Sequence, residues 1–269
     1  MHQNCFSRLR FTTRFTARAF VVAAIALASL ASAMRSHAET LINVDFNSSS
    51  APFASWGTYT GSGPLGGGTW NGITVPFDGQ GGSSLATTSL LDSTGASSGA
   101  SIAITQLWTS YNLDTTTAAN IAAGLQPLMA DYLYLANEAT SATVTLSGLG
   151  ASTEWDIVLY AAQTTDHDSA FTIGGVTKAT TDPGAISTLT EPGQYVRFDN
   201  ISSDGSGTIT IDWARNGNAI SALNGLQIMA VPEPATAFMV AVLAAGLLAR
   251  ARRRLPDVEG SRKSGRYPG

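Results

Sequence analysis

The stretch ATVTLSGLGASTEWDIVLYAAQ, Ala142–Gln163, decides the fold class of this 269-residue chain. Its first half alternates apolar with polar residues, and a Gly-Leu-Gly turn separates that half from the apolar run EWDIVLYAA. Alternation with a period of two is typical of a strand with one buried face, and glycines mark the turns between strands. The stretch therefore predicts two short strands joined by a turn.

Runs of the same kind recur from Thr40 onward, at intervals of about 10 to 25 residues and with turn residues between them. They are TLINVDF, TWNGITVPF, SIAITQLW, TVTLSGL, EWDIVLYAA, AFTIGGVT, QYVRFDNI, GTITIDWA and LNGLQIMAV. Nine or so strands with such spacing predict an all-β fold, a β-sandwich or jelly roll.

One segment, TTAANIAAGLQPLMADYLYLA, departs from the strand pattern. Ile121, Leu125 and Leu128 lie near helical spacing, and Pro127 limits the helix because proline lacks an amide hydrogen. We expect one short helix here, followed by a strand at Tyr132.

Charge is distributed unevenly along the chain. Residues 39–230 contain 3 basic and 16 acidic residues, a formal charge of −13, whereas arginines cluster in the first 38 and the last 20 residues. An acidic body repels phosphates, so we expect no nucleic-acid partner.

The N-terminal cluster precedes AFVVAAIALASLASA, Ala19–Ala33, whose apolar core is short and is followed by small-residue cleavage sites. This pattern predicts a secretory signal peptide over residues 1–38, removed by signal peptidase. Cleavage after Ala38 is favoured because TLINVDF already has strand alternation; cleavage after Ala33 and an uncleaved membrane anchor are the alternatives.

Removal of the signal peptide would take Cys5, His2 and His37 with it. The mature chain would then contain no cysteine, and His167 would be its only histidine. This composition excludes disulfides, cysteine nucleophiles and Cys/His zinc sites. Glu154 and Asp156 also flank Trp155 on one strand without a partner pair. We therefore expect no enzyme, and an extracellular hydrolase is the least favoured interpretation.

The chain ends with an unusual order of features. VPEPATAFMVAVLAAGLLARARRR, Val231–Arg254, combines two prolines around Glu233, an apolar run over 235–249 and an arginine cluster. The run is shorter than the roughly 20 residues of a typical span, but the arginines favour a transmembrane helix with a cytoplasmic basic end over a buried core helix. The stop-transfer residues are Arg250, Arg252, Arg253 and Arg254.

This C-terminal order, joined to a signal peptide, resembles the PEP-CTERM sorting signal of secreted bacterial proteins. The sorting motif is Val231, Pro232, Glu233 and Pro234. The resemblance implies recognition by an exosortase, a membrane-embedded transpeptidase-like enzyme, and display at the envelope of bacteria that make exopolysaccharide or biofilm. It divides the chain into a signal peptide (1–38), a β-sandwich (39–230), the sorting signal (231–254) and a basic cytoplasmic tail (255–269). That tail departs from the family, which usually ends soon after the arginines.

A second resemblance covers Thr143–Met229. The runs ATVTLSGL, EWDIVLYAA, FTIGGVTK, YVRFDNIS, GTITIDWA and LNGLQIM are similar in pattern to the strands of galactose-binding-like jelly rolls, the malectin and carbohydrate-binding-module type. This resemblance implies a fold rather than a ligand, because sandwiches host many functions.

The acidic loop TTDHDS holds the candidate metal ligands Asp166, His167 and Asp168. Together with Asp182 or Asp204 they offer oxygen ligands of the kind that Ca²⁺ prefers. The alternative is a solvated acidic turn, which the absence of an EF-hand pattern favours. No other cofactor is expected.

Two aromatic pairs flank predicted loops or strand ends: Trp56 with Tyr59, and Trp108 with Tyr111. Flat rings can stack on sugar faces, whereas core packing is the alternative for each ring. The sequence thus predicts a non-catalytic, secreted protein of the cell surface or extracellular matrix, with a carbohydrate-binding module as the alternative and extracellular polysaccharide as a partner.

Overall fold

The alternating runs form strands in two large sheets. The computed structural model describes residues 40–49, 57–77, 81–163, 167–181 and 184–232, which contain fifteen strands and three short helical turns. Within these ranges no helix is long and apolar enough to cross a membrane. The predicted signal peptide, the apolar run over 235–249 and the basic tail lie outside the described residues.

The first sheet has six strands. In spatial order they are β12 (Tyr195–Ser202), β9 (Glu154–Tyr160), β15 (Gly225–Ala230), β1 (Leu41–Ser48), β3 (Gly66–Val75) and β2 (Tyr59–Gly63). β1 pairs in parallel with β3 and antiparallel with β15, and the other neighbours in this sheet are antiparallel.

The second sheet also has six strands, all antiparallel. They are β11 (Val176–Ala179), β10 (Ser169–Ile173), β13 (Ile209–Arg215), β8 (Ser141–Ser147), β5 (Ser97–Leu107) and β4 (Ser83–Leu91). A small third sheet contains β14 (Ser221–Leu223), β7 (Asp131–Leu135) and β6 (Thr109–Asn112).

The main core lies between the two large sheets. Ile42, Val44 and Phe46 of β1 share it with Phe171 and Trp213 of the second sheet, and none of these side chains is exposed. Alternation along each strand supplies one apolar face per sheet, and burial of those faces against each other stabilises the sandwich. The predicted mostly β fold is confirmed, although it contains more strands than the nine or so expected from the sequence.

The predicted helix is divided into three turns. They are α1 (Thr115–Ala118), a 3₁₀ turn (Ala123–Leu125) and α2 (Gln126–Met129), which precedes β7. Asp114 caps α1 by accepting a hydrogen bond from Thr117 N at 2.8 Å. Pro127 lies in the first turn of α2, where a missing amide hydrogen costs little.

A second apolar layer covers the outer face of the first sheet. Leu128 and Met129 of the helical segment pack there with Trp70, Val158 and Tyr160. As a result every residue of β1 is buried, including the polar side chains of Asn43, Asp45 and Asn47. Burial on both faces is usual for the parallel strands of α/β folds. Here β1 is buried on both faces although it has only one parallel neighbour, β3.

Candidate functional site

The third sheet places several aromatic rings on one face. In the β6–β7 register Tyr111 lies opposite Tyr132, and Thr109 lies opposite Tyr134, so these side chains point to the same side. The ring centroid of Tyr111 is 5.9 Å from that of Tyr132 and 6.2 Å from that of Tyr134.

Two further rings extend this group. Phe77, which follows β3, lies 6.3 Å from Tyr111, and His167 lies 5.6 Å from Tyr132. We call Phe77, Tyr111, Tyr132, Tyr134 and His167 the aromatic cluster. Edge-to-face and tilted contacts of this kind hold rings in fixed orientations.

The aromatic cluster is open to solvent on one side. Tyr111 is 41% exposed and Phe77 is 43% exposed, whereas Tyr132 is buried beneath them. Among the described residues the large apolar side chains classed as exposed are these two and Val176, which lies on β11. The exposed rings are therefore adjacent, and they present both an apolar face and a phenol hydroxyl.

Hydrogen bonds from the opposite face fix the position of β6. Ser110 Oγ donates to Val75 O at 2.7 Å and shares a hydrogen bond with Ser48 Oγ at 2.9 Å, in which it accepts. These bonds attach the aromatic cluster to the ends of β1 and β3, so its rings rest on a rigid support.

The buried face of the third sheet also carries Asp131, near Asp45 of β1. Ser48 N donates to Asp131 Oδ2 at 3.4 Å, and Asn224 Nδ2 donates to the Asp131 carbonyl at 2.9 Å. Asn47 Nδ2 donates to Asp45 Oδ2 at 3.5 Å, and the Tyr59 phenol donates to the same carboxyl. Both carboxyls are fully buried. We call Asp45 and Asp131 the acidic pair.

Burial sets the protonation of the acidic pair. It raises the pKa of Asp131 to about 7, and it raises the pKa of Asp45 well above its usual range, with the charge of Asp131 adding to that rise. Burial also raises the pKa of Tyr59 and of Tyr160 above the usual phenol value. Desolvation disfavours the charged form of each group, so a neutral interior is favoured.

A polar network that the sequence did not indicate joins β1 to its neighbours. Gln227 Nε2 donates to Asn43 Oδ1 at 2.7 Å, and the Tyr160 hydroxyl donates to Gln227 Oε1 at 2.6 Å. The sequence shows polar residues alternating with apolar ones in β1 and β15. It does not show that the polar residues of both strands face a covered layer.

The four rings singled out from the sequence have different environments. Tyr111 belongs to the aromatic cluster, whereas Tyr59 is half-buried and stacks on the buried ring of Trp70 at 5.9 Å. Trp108 is half-buried against Gly81, where an added Cβ would lie 2.3 Å from its ring. Trp56 lies outside the described residues. The structure thus brings Tyr111 together with Phe77 and β7 rather than with Trp108.

The predicted metal loop is described only in part. Asp166 and Asp182 lie outside the described residues. The His167 carbonyl accepts from Ala222 N, and Asp204 accepts hydrogen bonds within its own turn, chiefly from Ser206, which lower its pKa. In the part of the chain that the structure describes, no three His, Cys, Asp or Glu side chains lie close enough together to hold a metal ion. The Ca²⁺ site at Asp166, His167 and Asp168 stays a prediction.

The remaining predicted residues are the carboxylates of β9 and the sorting signal that follows β15. Asp156 pairs with Arg197, whose Nη2 lies 2.7 Å from Asp156 Oδ2, so this carboxylate is engaged structurally. Val231 N donates to the Glu154 carbonyl at 2.9 Å, and Pro232 follows it as the last described residue. Glu233, Pro234 and the four stop-transfer arginines lie outside the described residues.

No protein-family model matches the sequence, and comparison with curated proteins finds no match. Among solved structures, the chain is similar to the CBM36-1 domain of a multidomain xylanase from the hindgut metagenome of Trinervitermes trinervoides, at 20% identity and a TM-score of 0.27. That match covers 38% of this chain and 79% of the domain.

Two other solved structures are similar over part of the chain. The Podospora anserina GH26-CBM35 β-(1,4)-mannanase matches at 14% identity and a TM-score of 0.27, over 47% of this chain and 28% of the mannanase. TmCBM61, solved in complex with β-1,4-galactotriose, matches at 11% identity and a TM-score of 0.22, over 56% of this chain and 87% of that chain.

Proposed function

We propose that this protein is a secreted, non-catalytic β-sandwich that binds a neutral polysaccharide through the aromatic cluster. The observation that carries the proposal is the adjacency of Phe77 and Tyr111, two exposed rings 6.3 Å apart on a hydrogen-bonded support. Exposed apolar groups that lie together mark binding surfaces far more often than scattered ones do.

The chemistry of the aromatic cluster fits a sugar. A pyranose ring has an apolar C–H face and a rim of hydroxyls, and a tyrosine offers an apolar ring and one hydroxyl. The fixed orientation of Tyr111 against Tyr132 and Tyr134 limits the conformational entropy lost on binding.

The negative charge of the protein indicates which class of polysaccharide it binds. The formal charge of −13 over residues 39–230 disfavours uronic-acid and sulfated polymers, because like charges repel at the surface. A neutral glycan avoids that repulsion, so neutral polymers are the expected ligands.

The ends of the sequence support an extracellular location. A signal peptide over residues 1–38 and a PEP-CTERM-like signal over 231–254 would deliver the β-sandwich to a bacterial surface, where exosortase would process it near Val231–Pro234. There the galactose-binding-like jelly roll that the sequence resembles would meet extracellular or biofilm polysaccharide.

The test is binding of the secreted chain to an array of neutral and acidic polysaccharides. We expect retention on one or more neutral polymers, and a loss of about tenfold in affinity for Tyr111→Ala and for Phe77→Ala. Val176→Ala is the matched control, because Val176 is 54% exposed but lies on β11.

Two results would count against the proposal. Equal binding by parent and Tyr111→Ala would place the glycan elsewhere. Failure to bind any polysaccharide, with the exposed rings instead protected in a complex with another envelope protein, would favour a structural or interaction role.

A further inference from the structure

The acidic pair occupies the junction between β1 and the third sheet. Asp45 and Asp131 have no exposed surface, and each has one carboxyl oxygen, Oδ1, with no hydrogen-bond partner in the part of the chain that the structure describes. An unpartnered carboxylate oxygen in the interior is costly, because it has lost its water without gaining a donor.

The two carboxyls are close enough for the charge of Asp131 to act on Asp45. The Tyr59 phenol of β2 donates to Asp45 and also experiences the charge of Asp131. The other groups there are neutral: Asn47 and the Ser48 amide from β1, and Tyr160 from β9, which adjoins Tyr59.

Among the described residues no lysine or arginine is paired with the acidic pair. Lys178 donates to the Arg197 carbonyl, Arg197 pairs with Asp156 and Asp199, and Arg215 donates to Ala219 O. These are the lysine and arginine residues between Glu39 and Val231, and all three are engaged elsewhere. Two adjacent buried negative charges without a cation would strongly destabilise the fold.

We propose that Asp45 and Asp131 share a proton and thereby form a pH-dependent contact that holds the third sheet against β1. One proton on either carboxyl removes a negative charge and supplies an O–H donor for the unpartnered oxygen of the other. The contact forms when the proton is bound and is lost when both carboxyls ionise.

The position of Asp131 links this contact to the aromatic cluster. Asp131 and Tyr132 are consecutive on β7, so one faces β1 and the other faces the aromatic cluster. Ionisation of the acidic pair would loosen β7 from β1 and disturb the rings on its reverse side. This consequence for glycan binding rests on the proposed function, whereas the proton-sharing contact does not.

The direction of the pH effect follows from the raised pKa values. A carboxyl with a higher pKa in the folded than in the unfolded chain binds its proton more tightly when folded. Its stabilising contribution is complete below the unfolded value near 4 and is lost as pH rises through the folded value, which is near neutrality for Asp131.

The test is thermal unfolding of the full-length chain in mild detergent between about pH 4.5 and 8.5, with no glycan present. We expect the Tm of the parent to fall by about 5 °C or more across this range, a smaller fall in Asp131→Asn, and almost none in Asp45→Asn with Asp131→Asn. Asp204→Asn, which removes an exposed carboxylate, is the control and retains the parent's decline.

A second measurement uses the parent alone, in case the variants fail to fold. Infrared spectroscopy at about pH 6, where ordinary carboxyls are ionised, should show the absorption of a protonated carboxylic acid. Its absence would overturn the proposal.

A cation in place of the proton would also overturn it. In that case Ca²⁺ or Mg²⁺ at about pH 8 and fixed ionic strength would raise the Tm of the parent but not of Asp131→Asn. A failure of the glycan-binding test leaves these melting and infrared results unaffected, so the two proposals can fail separately.

Discussion

The third sheet has aromatic rings on its exposed face, and on its buried face polar groups lie beside the leucines of the core. Tyr111 lies on the outside, whereas Ser110, Asn112 and Asp131 lie on the inside with almost no exposure. Ordinary one-sided strands place polar residues on the exposed face and apolar residues alone on the buried face. The contrast shows that each face has a requirement beyond core formation: the outer face provides binding area, and the inner face must satisfy or neutralise every polar group.

The largest expected effect tests the apolar part of the buried face. Leu133→Ala removes a fully buried side chain that joins β7 to the main core. We expect a loss of about 3 kcal/mol in the free energy of unfolding, measured by chemical denaturation. A loss below about 1 kcal/mol would mean that the third sheet adds little to the sandwich.

The next effect tests the polar part of the same face. Asn224 Nδ2 donates to the Asp131 carbonyl at 2.9 Å, and its Oδ1 accepts from Ala162 N at 2.9 Å. Asn224→Ala leaves both backbone groups without their partner, and we expect it to destabilise the fold by about 2 kcal/mol. Asn224→Asp places a further buried carboxyl beside Asp131 and turns an acceptor toward the Asp131 carbonyl, so it should destabilise the fold at neutral pH at least as much as Asn224→Ala in the same denaturation experiment.

A smaller effect is expected at a surface carboxylate, where the dependence of stability on pH has the opposite direction to that of the acidic pair. Hydrogen bonds from Ser206 and Thr208 lower the pKa of Asp204, so its contribution to stability is present above the unfolded value and is lost as pH falls. Asp204→Asn should therefore lower the Tm at pH 7 and converge with the parent under acid conditions. If the Tm values of parent and variant converged at alkaline pH instead, the pKa of Asp204 would be raised and not lowered by folding.

The smallest effect on stability is expected at the exposed face. Tyr111→Ala should change the free energy of unfolding by less than about 1 kcal/mol, because the ring is 41% exposed. Circular dichroism and denaturation would check this. A large destabilisation would show that the aromatic cluster serves packing and would weaken its interpretation as a binding surface.

The sequence predicted the features that depend on local pattern. Alternation located the strands around Ala142–Gln163, and Pro127 indicated a short helix before a strand at Tyr132, close to the observed α2 and β7. Capping by Asp114 and the division of the helix into three turns depend on details that spacing alone does not show.

The sites depend on contacts between distant residues, which spacing does not reveal. Trp108 lies between β5 and β6 whereas Tyr111 lies within β6, so nearness in sequence was a poor guide to their partners. Tyr111 meets Phe77 and Tyr134 through the pairing of β6 with β7 and the position of the segment after β3. The acidic pair joins residues 45 and 131, and nothing in the pattern of either strand shows that a second layer covers Asp45.

The first and last strands of the described region are neighbours in the middle of one sheet. Leu41 lies opposite Met229, and Ala230 N donates to Thr40 O at 3.0 Å. A pull on the chain at Pro232 is parallel to β15 and is opposed on both sides, by β1 and by β9. The antiparallel ladders on the two sides must therefore shear together instead of opening one bond at a time. A protein tethered through this end would resist mechanical force at the point where the tether enters the fold.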